Sequence, residues 1–148
     1  MDRRRRLLIQ AALFAATAQI AEIGLADDRL AFGDLYEGNG ILGLKFSDKL
    51  RHHAGQRVEM LGFMAPPLKA EAGFFVLTRA PMALCPFCQT DADWPADIVV
   101  VLLAEPQPVQ PHHQPILVTG RVEIGPRRDA ESGFVSQVRL VDARYGRP

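Results

Sequence analysis

Asp97-Ile98-Val99-Val100-Val101-Leu102-Leu103 is followed by Glu105-Pro106-Gln107-Pro108-Val109-Gln110-Pro111, and then by Pro115-Ile116-Leu117-Val118-Thr119-Gly120-Arg121-Val122-Glu123-Ile124. The first run is continuously apolar and β-branched, the pattern of a strand buried on both faces. The third alternates through Ile116, Val118, Gly120, Val122 and Ile124, the pattern of a strand with one buried face. Between them the spaced prolines cannot supply ladder amides, so the connector lies outside any sheet. Strand, proline connector and strand leave no helix between, and therefore no βαβ unit here.

On the N-terminal side, Gln56 to Met64 alternates through Val58 and Met60 and stops at Pro66-Pro67. Gly73 to Thr78 carries Phe74-Phe75-Val76-Leu77, and Phe134 to Val141 alternates through Ser136, Val138 and Leu140. The charged stretch Gly125 to Gly133 reads as a hairpin-like loop. Ser47 to Gly55 is the one short helix, with Ser47 suited to cap its free amides and Gly55 suited to the left-handed position past its end. Five strands and one short helix predict a mainly β protein, a small five-stranded OB-like barrel, with a β-sandwich as the rival architecture. Residues 27–46, glycine-dotted with Leu30, Phe32, Leu35 and Tyr36 as apolar anchors, read as an extended lead-in packed on a domain spanning 47–148.

The composition is balanced overall and lopsided locally. The 148 residues hold 17 basic and 17 acidic side chains, and four of the basic ones are Arg3-Arg4-Arg5-Arg6. An uncharged, largely apolar run from Leu7 to Ile20 or Ala21 and the small residues Gly24 and Ala26 complete the pattern of a cleavable signal peptide over 1–26. The run of about 15 residues is shorter than the roughly 20 that span a bilayer. Arg4-Arg5 before Leu7-Leu8 also fits a twin-arginine export signal. Cleavage after Ala26 takes away Arg3 to Arg6, Asp2 and Glu22, leaving 13 basic and 15 acidic residues over 122, a net charge of −2. The expected location is the periplasm, with contact to the membrane only through the leader during export. A mildly acidic domain without a basic face excludes nucleic acid as the expected partner.

The run Gly55-Gln56-Arg57-Val58-Glu59-Met60-Leu61-Gly62-Phe63-Met64-Ala65-Pro66-Pro67-Leu68, followed by Phe74-Phe75-Val76-Leu77, a cysteine-bearing loop and a valine-rich strand, resembles an uncharacterised family of small exported bacterial proteins. The resemblance covers roughly residues 30–143. It implies an OB-like fold, export, and a partner among ABC-type transporter components, beside which such proteins are often encoded. The family pattern commonly has one cysteine followed by histidine and prolines, whereas this chain has two cysteines. The family has no settled activity to carry over.

Both cysteines lie in Cys85-Pro86-Phe87-Cys88. Thiols at this spacing can share a metal ion at about 2.3 Å, close a redox-active disulfide, or form an inert disulfide in an oxidising compartment. For a zinc or copper ion the further ligand candidates are His52, His53, His112 and His113, with Asp91 and Asp93 in the loop itself. Phe87 and Trp94 can form an apolar rim. A thioredoxin-type enzyme, with Cys85 attacking and Cys88 resolving, needs a long helix after the pair. Trp94-Pro95 falls six residues past Cys88, which leaves room for barely two turns. Gln89 in place of histidine after Cys88 excludes covalent haem attachment. No nucleophile elbow or phosphate loop is present. The sequence thus points to an exported, non-enzymatic accessory protein that binds a metal ion or a partner through the cysteine loop, with thiol-disulfide exchange as the alternative.

Overall fold

The computed structural model describes residues 28–40, 43–66, 73–83, 96–130 and 133–148. The expected signal peptide and the stretch from Cys85 to Trp94 lie outside them. In chain order the elements are a 3-10 turn at Phe32–Asp34, β1 (Tyr36–Gly40), β2 (Gly43–Phe46), α1 (Asp48–His53), β3 (Arg57–Met64), β4 (Phe74–Thr78), β5 (Ile98–Leu103), β6 (Pro115–Arg128) and β7 (Val135–Gly146). The five strands read from the sequence are β3 to β7.

These five close into a barrel in the order β3-β4-β5-β7-β6, with β6 returning to β3. Every neighbouring pair is antiparallel except β5 and β7. Because β3 has β4 on one side and β6 on the other, no two-sheet sandwich forms. The inward residues Val58, Met60, Leu77, Val99, Val101, Val118, Val122 and Leu140 are buried in a single core. Ile98, Val100 and Val76 point the other way and are buried in a second cluster with Ala65, against which Phe74, Leu102 and Phe134 pack. This double burial is the reason the apolar run of β5 lacks alternation.

Closure depends on two close approaches. Gly62 faces inward where β3 meets β4, and a side chain there would run into Leu77 and the carbonyl of Thr78. Gly120 plays the same part where β6 meets β7. The β6–β7 register shifts between Thr119 and Arg121, beside Asp142, whose φ is 48°. Aspartate is one of the few non-glycine residues found in that left-handed region. This bulge bends β7, and Asp142 pairs with Arg121 at 2.9 Å.

Two strands run longer than their patterns suggest. β6 continues past Ile124 to Arg128 through a second register shift that takes in Gly125 and Pro126, where a missing amide is tolerated. β7 continues past Val141 to Gly146, with Ala143 buried and Tyr145 edge-on to Phe75 at 5.6 Å. The proline connector stays outside the sheet as expected. Gln107 holds it there, donating to the carbonyl of Tyr145 at 3.2 Å and accepting from the Tyr145 amide at 3.0 Å. One side-chain amide thus does the work of a ladder residue.

The lead-in is more folded than an extended strap. Leu30, Phe32 and Leu35 enter the barrel core, and β1 and β2 form a hairpin. Asp28 and Leu30 bond to Glu59 at 2.7 and 2.9 Å, covering the edge of β3 beyond the point where β4 pairs. Ser47 caps α1 by accepting from the Leu50 amide at 2.9 Å, and its hydroxyl donates to the Asp34 carbonyl. Gly55 takes φ 81° past the helix end. Leu50, fully buried, plugs the barrel at this end.

Candidate functional site

The barrel topology places the ends of the cysteine loop before any side chain is considered. β4 leads into the loop and β5 leads out of it, and these strands pair at Thr78↔Ile98. Just beyond, the Arg79 amide donates to the Asp97 carbonyl at 3.1 Å, so the two roots are clamped together. They open toward the end of the barrel from which β3 starts, the end that carries α1. Cys85, Phe87, Cys88, Asp91, Asp93 and Trp94 lie outside the described residues.

The two histidine doublets are separated by the same topology. His52 and His53 end α1, immediately before β3. His112 and His113 are exposed in the turn before β6. Arg57 at the start of β3 pairs with Arg121, and Phe63 near its end pairs with Pro115. Six residues of strand at about 3.4 Å each put roughly 20 Å of barrel between the two levels. The doublets therefore do not converge, and only His52–His53 shares an end of the barrel with the loop roots. Among the described residues no group of three or more histidine, cysteine, aspartate or glutamate side chains comes together as a metal site.

The members of the first doublet differ. His52 is exposed, while His53 is buried and its Nδ1 lies 2.8 Å from the Lys49 carbonyl. A carbonyl only accepts, so Nδ1 is the donor in this contact. The rings meet edge-on at 5.6 Å. Nearby, Asp34 accepts from the Ala31 amide and from Lys49 Nζ, both at 2.9 Å. Burial is the largest single influence on its carboxyl and pushes the pKa up. The Ala31 amide, Lys49 and the charge of His53 together outweigh it, and the net shift is downward.

Two features here leave no mark in the sequence. The first is an open cavity of about 790 Å³ between the lead-in, α1 and the outer side of β3 and β6, with Arg79 in its wall. Arg79 also lines a neighbouring cavity of about 270 Å³ with Tyr36, Leu44 and Asp97. The second is Arg139, which is 5% exposed on β7. Its Nη1 donates to the carbonyls of Gly125 and Ser136 at 2.8 and 3.0 Å, and its Nε lies 3.4 Å from Glu123. Burial draws its pKa down, against the pull of Glu123. The slot beside it measures only about 40 Å³, room for little more than a water. Arg139 is therefore a structural tie for the β6–β7 hairpin. An arginine at an outward position of an alternating strand looks solvated in sequence, so nothing there signals its burial.

The geometry can be compared with known proteins. The fold is similar to that of a DUF3299 family protein. That crystal structure, from Pseudomonas aeruginosa, superposes with a TM-score of 0.54 over 81% of this chain and 96% of the other, at 14% sequence identity. At that identity the likeness concerns the fold alone. No family model and no curated protein matches the chain. Among the described residues no helix is long and apolar enough to cross a membrane.

Proposed function

We propose that the protein is an exported, non-enzymatic accessory protein whose barrel is a rigid scaffold for the loop between β4 and β5. Cys85 and Cys88 in that loop hold a thiophilic metal ion, zinc or copper, and the loaded loop is presented to a periplasmic partner such as an ABC-type transporter component. The observation that carries this reading is the clamped loop root at Arg79 and Asp97, on the barrel end that also bears His52 and His53. A fixed root limits the entropy lost when two thiolates close on one ion. The barrel topology also weighs against a thioredoxin-type enzyme, because β4 and β5, between which the cysteines fall, pair antiparallel and are not the parallel strands of a βαβ unit. The run from Gly55 to Leu68 supports the resemblance to a family of small exported bacterial proteins, and the fold likeness to a DUF3299 protein supports the barrel scaffold.

The test is to purify the protein under reducing conditions and measure bound metal by elemental analysis. One ion per chain is expected, lost in Cys85→Ser/Cys88→Ser. His112→Gln/His113→Gln should leave the affinity unchanged. A metal-free protein overturns the reading. In that case a reduction potential above about −230 mV identifies an exchange protein, and one below about −300 mV identifies a structural disulfide.

A further inference from the structure

The cavity between the lead-in, α1 and the β3–β6 face is lined by both apolar and charged side chains. Its volume of about 790 Å³ falls within the range of roughly 300 to 1,000 Å³ typical of small-molecule sites. One wall is apolar. Leu61 on β3 and Leu117 on β6 are directly paired across the ladder and both line the cavity. Leu61 is 55% exposed, one of two large hydrophobic side chains so exposed among the described residues. Phe32 closes the inner side.

The charges sort themselves unevenly. Lys49 pairs with Asp34 at 2.9 Å and Arg29 with Glu59 at 3.6 Å. The third cation in the wall, Arg79, has no ion pair and no side-chain hydrogen bond among the described residues. Its backbone is fixed by the bond to Asp97, so the guanidinium is offered from an anchored position.

We infer that this cavity binds a small organic monoanion, a carboxylate with a short apolar body. The carboxylate lies on the fork of Arg79, whose planar donors match two carboxylate oxygens, and the apolar body covers Leu61 and Leu117. One guanidinium without an ion pair among the described residues suits a single negative charge. Lys49 and Arg29 are already committed to Asp34 and Glu59, so a phosphate ester or polyanion gains no second pairing among the described residues. The site does not depend on whether Cys85 and Cys88 hold a metal.

Octanoate is the probe, titrated into the purified protein by calorimetry and by amide shifts in NMR, with acetate, octanol and octyl phosphate as comparisons. Saturable one-site binding of octanoate is expected, with the largest shifts at Leu61, Arg79 and Leu117. Arg79→Gln should weaken it about tenfold, the effect of losing one charge-assisted pair, and Arg79→Lys by less. Leu61→Ser should also weaken it. Both side chains are exposed, and unchanged thermal melting would show that the variants fold. Three results would each overturn the inference: no saturable octanoate binding, equal affinity in Arg79→Gln, or octanol, acetate or octyl phosphate binding as tightly as octanoate.

Discussion

Gly62→Ala isolates the close approach on which barrel closure depends. Gly62 occupies an inward position of β3 between Met60 and Met64, both buried. An added Cβ would sit 2.8 Å from Leu77 Cγ and 2.8 Å from the Thr78 carbonyl oxygen. Leu77 is fully buried and has nowhere to swing. Thr78 is tied into ladders with Phe63 and Ile98, so its carbonyl cannot retreat without moving two strands. Overpacking of this kind costs about 1–3 kcal/mol. Against it, alanine restricts the unfolded chain and contributes about 0.4–1 kcal/mol in favour of folding. The net expectation is a loss of about 1–2 kcal/mol. Urea unfolding should show a lower midpoint at an unchanged slope, the signature of altered stability without altered exposure on unfolding. Gly73→Ala is the control, since a Cβ there meets nothing within 4 Å and its φ is not left-handed. It should be neutral or slightly stabilising. A Gly62→Ala protein as stable as the parent would show that β3 and β4 have room for a side chain at this crossing.

Ser47→Ala removes the cap on the Leu50 amide and the hydroxyl bond to the Asp34 carbonyl. A loss of about 1–2 kcal/mol is expected in urea unfolding, and a change within experimental error would show that α1 needs no cap. Asp34 governs part of the acid response. Its native pKa is depressed because the Ala31 amide, Lys49 and the charge of His53 outweigh burial, so its contribution is fully present above the unfolded-state value of about 3.9. That contribution is lost as pH falls through the lower native value. Asp34→Asn should therefore narrow its stability gap to the parent as pH drops from 5 to 2, and a gap independent of pH would sink the assignment.

Periodicity made the barrel legible because a closed five-stranded barrel buries one face of each strand, and alternation records that directly. The exception, β5, was also readable, since Ile98 to Val101 are buried toward both clusters. The strand ends were less so. β6 and β7 outrun their patterns because bulges at Gly125 and Asp142 restore pairing after the alternation breaks. The hairpin of β1 and β2 carries too few apolar residues to show a period. Its place in the fold comes from Leu30, Phe32 and Leu35 reaching the core.

For the site, chain neighbours fixed the chemistry on offer: two thiols at metal-sharing spacing, four histidines in two doublets, and the residue types of a helix cap. Those are properties of neighbours along the chain. Which of them can meet depends on how the barrel closes. The length of β3 sets His112 and His113 apart from His52 and His53, while the Arg79–Asp97 clamp puts the cysteine loop's roots on the α1 end. The fold alone brought Arg79, Leu61 and Leu117 around one cavity, because barrel closure joins positions that local sequence spacing does not relate. Distance along the chain encodes local geometry, and ladder register encodes the rest.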